Sequence, residues 1–132
     1  MTTRLWSGGL LSLLFGISGT LLAADHTKDS LDTVKKNLAE KKAVIIDVRE
    51  DDEWREGHLK QAIHLPLSKI EAGITAEELG KLIPPKSTVY THCAAGVRSL
   101  KASRILEKLH QDIRPLKPGY GALKKAGFPV KE

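Results

Sequence analysis

Residues 88–104 read Thr-Val-Tyr-Thr-His-Cys-Ala-Ala-Gly-Val-Arg-Ser-Leu-Lys-Ala-Ser-Arg. Thr88 to His92 is a short run rich in β-branched and aromatic side chains, which predicts a strand. Cys93, the sole cysteine among the 132 residues, comes directly after it. Ala94, Ala95, Gly96 and Val97 follow, with no side chain larger than valine. From Arg98 and Ser99 onward, apolar residues recur at Ala102, Ile105, Leu106 and Leu109. That is the spacing of one helix face and predicts a helix to about His110. The stretch is therefore a strand, a tight loop headed by a thiol, and a helix whose N-terminus faces that thiol. Unpaired N–H groups at a helix N-terminus favour an anion. Cys93 is thus expected to be held as a thiolate and to be nucleophilic near neutral pH.

Outward from this stretch, strands and helices alternate. Asp29 or Ser30 can cap a helix running to about Lys41, with Leu31, Val34 and Leu38 on one face. Ala43 to Val48 is a continuous apolar run, interrupted by Asp47, that suits a strand buried on both faces. Arg49 to His58 is charged and reads as a loop or a single helical turn. Ala62 to Leu65 is a second short strand, stopped by Pro66, and Ser68 to Ala72 is a short helix. Thr75 to Glu78 has the spacing of a capping box and starts a helix through Leu79, Leu82 and Ile83, ended by Pro84-Pro85. Ile113 to Leu116 is a last strand, and Tyr120 to Ala126 a last helix, closed by Gly127 and Pro129. This order defines an α/β fold with a mostly parallel central sheet flanked by helices. Such sheets bind ligands beyond the carboxyl ends of their strands. Cys93 and the Asp47-Val48-Arg49 segment both fall there.

Residues 1–24 differ in composition from the rest. Arg4 is their only charged side chain, and an apolar centre at Leu10 to Phe15 leads to Ala23-Ala24. The order is that of a secretory signal peptide, expected to be cleaved, with residues 25–132 as the single folded domain. A retained membrane anchor is the alternative, and contact with a membrane follows only in that case. The location implied is periplasmic, or otherwise exported. In an oxidising compartment a lone cysteine has no disulfide partner in its own chain, so it is either a buried hydrophobe or kept for its reactivity. The chain carries a net charge of +5 without a dense Lys/Arg block, and aromatic residues make up 5%. That excludes a nucleic-acid groove, while a mild positive field would attract a small anion. No histidine spacing suggests a metal site, and one cysteine cannot complete a zinc cluster. No cofactor is implied.

Several linked motifs resemble the rhodanese-like domain family. Asp47-Val48-Arg49-Glu50, Glu53-Trp54, Gly57-His58-Leu59 and Ala62 to Leu67 resemble its N-terminal half. Tyr90 to Ser99 resembles its active-site loop, and Gly119 to Val130 its C-terminal segment. The likeness is greatest to the small single-domain members exported to the bacterial periplasm. Leu123 stands where the family often has tryptophan and Pro118 where a second glycine is usual, which bears on the packing of the last helix. The resemblance implies a sulfurtransferase that moves sulfane sulfur from a small anionic donor such as thiosulfate, through a Cys93 persulfide, to cyanide, a low-molecular thiol or a protein thiol.

On that reading Cys93 is the nucleophile, and the N–H groups of Ala94, Ala95, Gly96, Val97, Arg98 and Ser99 form a concave nest around the sulfur. Four residues separate Cys93 from Arg98, whereas related cysteine phosphatases have five. A phosphatase or arsenate reductase is therefore the lesser alternative, and a non-catalytic persulfide carrier for a protein partner the nearer one. A module with Cys93 simply buried is the last. Arg98 either binds the donor anion or ties the loop to a carboxylate. Arg49 is a candidate second cation for substrate, with Glu50 or Asp52 as its expected partner otherwise. Asp47 is expected to hold backbone N–H groups near the loop. Strand alternation places the His92 side chain away from the thiol, so His92 is not expected to act as a base.

Overall fold

The computed structural model describes residues 25–132, so the expected signal segment, residues 1–24, lies outside the described residues. Chain order is α1 (Leu31–Ala39), β1 (Ala43–Asp47), α2 (Asp51–Glu56), β2 (His58–Leu59), β3 (Ala62–His64), α3 (Leu67–Gly73), α4 (Ala76–Leu82), β4 (Thr88–His92), α5 (Val97–Leu106), β5 (Ile113–Pro115), α6 (Tyr120–Lys125) and β6 (Val130–Lys131). Four strands form one sheet in the order β3-β1-β4-β5, and every neighbouring pair is parallel. β2 and β6 make a small antiparallel pair beside it.

The helix starts follow local chemistry. Ser30 Oγ accepts from Thr33 N–H at 3.1 Å, and Thr75 Oγ1 accepts from Glu78 N–H at the same distance, each satisfying a donor that the first helical turn leaves unpaired. Side chains of the two central strands then alternate between two cores. Ile46 and Val89 pack with Leu65, Ile70, Leu79, Ala102 and Leu106 on the side of α3, α4 and α5. Ala43, Ile45 and Tyr90 pack with Val34, Leu38, Leu116 and Leu123 on the side of α1 and α6. Continuous apolarity in β1 and β4 is the direct result of being covered on both faces. Leu123 is fully buried in the second core. A buried leucine of this kind contributes about 1.5–3 kcal/mol, so α6 is well seated without the tryptophan common in the family.

Four elements differ from the sequence reading. Residues 51–56 make a real helix, α2, because Glu50 caps it: its N–H donates to Glu53 Oε1 at 3.1 Å. α5 stops at Leu106. Beyond it the bonds tighten, with Leu109 N–H reaching the Leu106 carbonyl at 2.9 Å, and His110 Nε2 is held at the Ser87 carbonyl at 2.6 Å. Leu109 still packs against the core, which is why the apolar spacing runs past the helix end. Strands of two residues, such as β2 and β6, are too short to show any period.

The sheet register brings the site together. Asp47 pairs with His92 across β1 and β4, so the residues after these two strand ends emerge side by side. The Val48 N–H donates to the His92 carbonyl at 3.0 Å and continues the ladder one step toward Cys93.

Candidate active site

Cys93 leaves β4 and enters a loop that returns over its own sulfur. Gly96 N–H donates to Cys93 Sγ at 3.1 Å and Ser99 N–H at 3.4 Å. Of the six amides expected to line the nest, these two reach the sulfur within hydrogen-bond distance. Both belong to the first turn of α5 or its cap, so the positive end of the helix also faces the thiol. Gly96 adopts φ 87°, the left-handed region that costs a non-glycine residue about 1 kcal/mol or more. A Cβ there would also stand 2.7 Å from the Lys117 carbonyl oxygen. Glycine is therefore required twice over, by its torsion and by the neighbouring chain.

The loop is held from below and from the side. Ser99, fully buried, places Oγ 2.9 Å from the Gly96 carbonyl and 2.9 Å from the Leu116 carbonyl. Thr91 Oγ1 donates to the Ser99 carbonyl at 3.1 Å and lies 2.8 Å from Ser103 Oγ. The N–H of Tyr120, first residue of α6, donates to the Cys93 carbonyl at 2.9 Å. That contact depends on Gly119, where a Cβ would fall 1.7 Å from the Ala94 carbonyl oxygen. The close approach falls on Gly119, with Pro118 before it.

Cys93 itself is 1% exposed and packs in the α3–α5 core, while Ala94 and Ala95 are exposed and Val97 is 62% exposed. The sulfur thus sits at the floor of a small-residue loop whose outer side meets solvent. Apolar burial alone would leave the thiol without donors. Two amide protons on Sγ instead make the position suited to a negatively charged sulfur.

Both arginines are paired with carboxylates. Arg98 Nη1 and Nη2 donate to Glu53 Oε1 and Oε2 at 2.5 and 2.9 Å. Arg49 is buried and forks onto Asp47: Nη2 to Oδ2 at 2.8 Å and Nε to Oδ1 at 3.0 Å, with a further bond from Nη2 to the Gly57 carbonyl at 2.7 Å. Its guanidinium carbon lies 4.2 Å from the centre of the Tyr120 ring. The expected partner of Arg49, Glu50 or Asp52, is corrected to Asp47. The reason is burial: inside the protein only a fully paired charge is tolerated, and Asp47 is the carboxylate buried beside it. Asp47 Oδ1 also accepts from the Arg49 backbone N–H at 3.0 Å. So Asp47 does bind a backbone amide near the loop, and carries the arginine as well.

His92 is fully buried on the Asp47 side, with Nε2 3.6 Å from Asp47 Oδ2, and neither ring nitrogen has a hydrogen-bond partner. Burial pushes its basicity down, against the opposing pull of the Asp47 charge. The imidazole is therefore harder to protonate than an ordinary histidine. His64, half-buried, has Nε2 at 2.9 Å from the Arg49 carbonyl, and His58 and His64 both stack on Trp54.

Two contributors escape sequence reading. Glu53, which neutralises Arg98, is 45 residues from it. His26, half-buried, has Nε2 2.7 Å from the Gly96 carbonyl oxygen across 70 residues. Neither pairing carries a local signal, because each forms only once the chain has folded back.

The four-stranded parallel sheet thus carries a cysteine in a backbone-amide loop at the end of a central strand. The family model of the rhodanese-like domain matches residues 30–126, and the chain belongs to that family. A Schizosaccharomyces pombe protein, provisionally named a mitochondrial thiosulfate sulfurtransferase, is 37% identical over 82 residues, covering 57% of this chain. The chain spans 58% of that relative's length. Thiosulfate sulfurtransferase 18 of Arabidopsis thaliana is 27% identical over 104 residues, covering 72% of this chain and 76% of the relative. The structure of a human single-domain sulfurtransferase superimposes with a TM-score of 0.63 at 22% identity, over 74% of this chain and 94% of that one, a likeness of fold. Together these support sulfur transfer at the level of the family.

Proposed function

We propose that the chain is a sulfurtransferase that carries sulfane sulfur on Cys93. The observation supporting this most directly is the pair of amide protons from Gly96 and Ser99 on Cys93 Sγ. The Cys93 thiolate attacks the sulfane sulfur of a donor such as thiosulfate. A sulfur–sulfur bond forms to Cys93 as the one to sulfite breaks, and sulfite leaves with the electron pair. The outer sulfur of the persulfide extends by about 2 Å beyond Sγ and carries the negative charge. The loop amides are the groups available to hold it. A thiophilic acceptor then attacks that outer sulfur, forming thiocyanate if it is cyanide or a new persulfide if it is a thiol, and Cys93 returns to the thiolate. Two half-reactions with a covalent intermediate give ping-pong kinetics.

Intact-mass measurement tests the proposal. Thiosulfate should add one sulfur atom to the wild type, cyanide should remove it, and Cys93→Ser should gain none. Sulfur uptake by Cys93→Ser would sink the mechanism. Steady turnover with thiosulfate and cyanide identifies an enzyme, whereas a single stoichiometric loading identifies a carrier that hands sulfur to a protein thiol. The expectation of export belongs with this proposal, and the mass of protein recovered from its native compartment, with or without residues 1–24, decides it.

A further inference from the structure

We propose that His26 is a positioning residue of the Cys93 cradle, holding the Gly96 carbonyl so that the loop keeps its amides on the sulfur. This rests on the sulfur-transfer reading of the same loop.

Helix caps elsewhere in the molecule set the comparison. The cap carbonyls of α1, α2, α3, α4 and α6 each accept the first backbone bond of their helix: Ser30 from Val34, Glu50 from Trp54, Pro66 from Ile70, Thr75 from Leu79 and Gly119 from Leu123. Among the described residues the Gly96 carbonyl of α5 has no such backbone bond. It is engaged by side chains instead, with His26 Nε2 at 2.7 Å and Ser99 Oγ at 2.9 Å. The Ser99 hydroxyl lies equally close, 2.9 Å, to the Leu116 carbonyl, and a hydroxyl has one proton to give. It can serve one of these two carbonyls. His26 supplies the second donor, which assigns the ring proton to Nε2.

The consequence reaches the sulfur through the peptide plane. The Gly96 C=O and Val97 N–H belong to one planar trans peptide and point in opposite directions. Fixing the carbonyl toward His26 fixes that amide on the other side. The Gly96 N–H, 3.1 Å from Cys93 Sγ, lies in the preceding peptide plane, which joins this one through the Gly96 φ and ψ, so holding the carbonyl restrains that N–H as well. A donor on the carbonyl further polarises the amide it belongs to. His26 can do this because its segment is anchored at several points. Thr27 N–H donates to the Pro115 carbonyl at 2.7 Å, while Asp29 Oδ2 accepts from the Tyr90 hydroxyl at 2.7 Å and from Arg114 Nη1 at 2.8 Å. Tyr90 lies on β4, the strand that ends at Cys93.

The test compares His26→Phe, which keeps a ring without a donor, with His26→Gln, whose amide offers an N–H at similar reach. Loading of Cys93 by thiosulfate, followed by intact mass, should slow roughly threefold to tenfold in His26→Phe and recover most of the way in His26→Gln. Alkylation of Cys93 by iodoacetamide should follow the same order. Unfolding midpoints of the two variants should agree, since His26 lies outside both core clusters. His26→Phe loading and alkylating at the wild-type rate would overturn the proposal, as would equal losses in both variants. If the wild type takes up no sulfur while alkylation still separates the variants, the sulfur-transfer reading falls and the positioning role of His26 stands.

Discussion

Arg98, in the first turn of α5, and Glu53, in α2, form a two-pronged ion pair with Nη1–Oε1 at 2.5 Å and Nη2–Oε2 at 2.9 Å. The pair ties the helix that faces the thiol to the helix that follows β1. The pair makes Arg98 a link between the cysteine loop and α2. The Arg98 hydrogen bonds, reinforced by the Glu50 N–H, hold the Glu53 carboxyl down at about 2, against a usual value of 4.5.

This contact should make stability depend on pH in the acid range. A carboxyl whose folded pKa lies below its unfolded value stabilises the protein fully above the unfolded value, and that contribution is lost as pH falls through the folded one. With both side chains about 30% exposed, water screens much of the attraction, and Glu53→Gln should cost about 1 kcal/mol near neutral pH. The gap between variant and wild type should narrow below a pH of about 4.5 and close near 2. Urea unfolding at a series of pH values measures it. A gap that stays constant with pH would mean that the charge of Glu53 is not what the variant loses.

Two glycines two positions apart on α6 should respond in opposite directions. At Gly119 a Cβ meets the Ala94 carbonyl oxygen at 1.7 Å, so Gly119→Ala must push the start of α6 away from the loop. The Tyr120 N–H would lose the Cys93 carbonyl, and thiosulfate-dependent loading should collapse, with a stability cost of about 1–3 kcal/mol. At Gly121 a Cβ meets nothing within 4 Å. Gly121→Ala should raise stability by about 0.5–1 kcal/mol through helix propensity and leave loading unchanged. Mass spectrometry and thermal unfolding on the same pair of samples check both halves. Normal loading by Gly119→Ala would contradict the close packing of α6 on the loop.

His92 presents a buried imidazole without a hydrogen bond, which an apolar side chain of similar size can replace at little loss. His92→Leu should lie within about 1 kcal/mol of the wild type near pH 7, or be more stable. Burial lowers the folded pKa below the ordinary 6.5, so the unfolded chain binds the extra proton first as pH falls. Wild-type stability should therefore decline as pH drops below about 6.5, and the variant should decline less over that span. A variant that is strongly destabilised at neutral pH, or that follows the wild-type pH curve, would show that His92 has a partner after all.

The sequence by itself determined the sequence-local parts of this protein. β4 runs over Thr88–His92, as its β-branched run predicts, and Cys93 stands at the end of it. Ser30 and Thr75 cap the helices they precede, and the apolar run from Ala43 contains β1, Ala43–Asp47, covered on both faces. Short-range sterics, capping hydrogen bonds and apolar period act between residues a few positions apart, and so they are written into neighbouring letters. The linked motifs around Asp47, Cys93 and Gly119 carried the family as well.

The tertiary structure alone decided what each charge does. Arg98 pairs with Glu53 across 45 residues, and Arg49 pairs with Asp47 rather than Glu50 or Asp52, because burial selects for Arg49 the carboxylate that can pair completely with its guanidinium. Gly119 became indispensable through a close approach to Ala94, and His26 reached the Gly96 carbonyl across 70 residues. Such contacts depend on where the parallel sheet brings separate strand ends. The thiol could be read from the sequence, and the fold supplied the donors and struts around it.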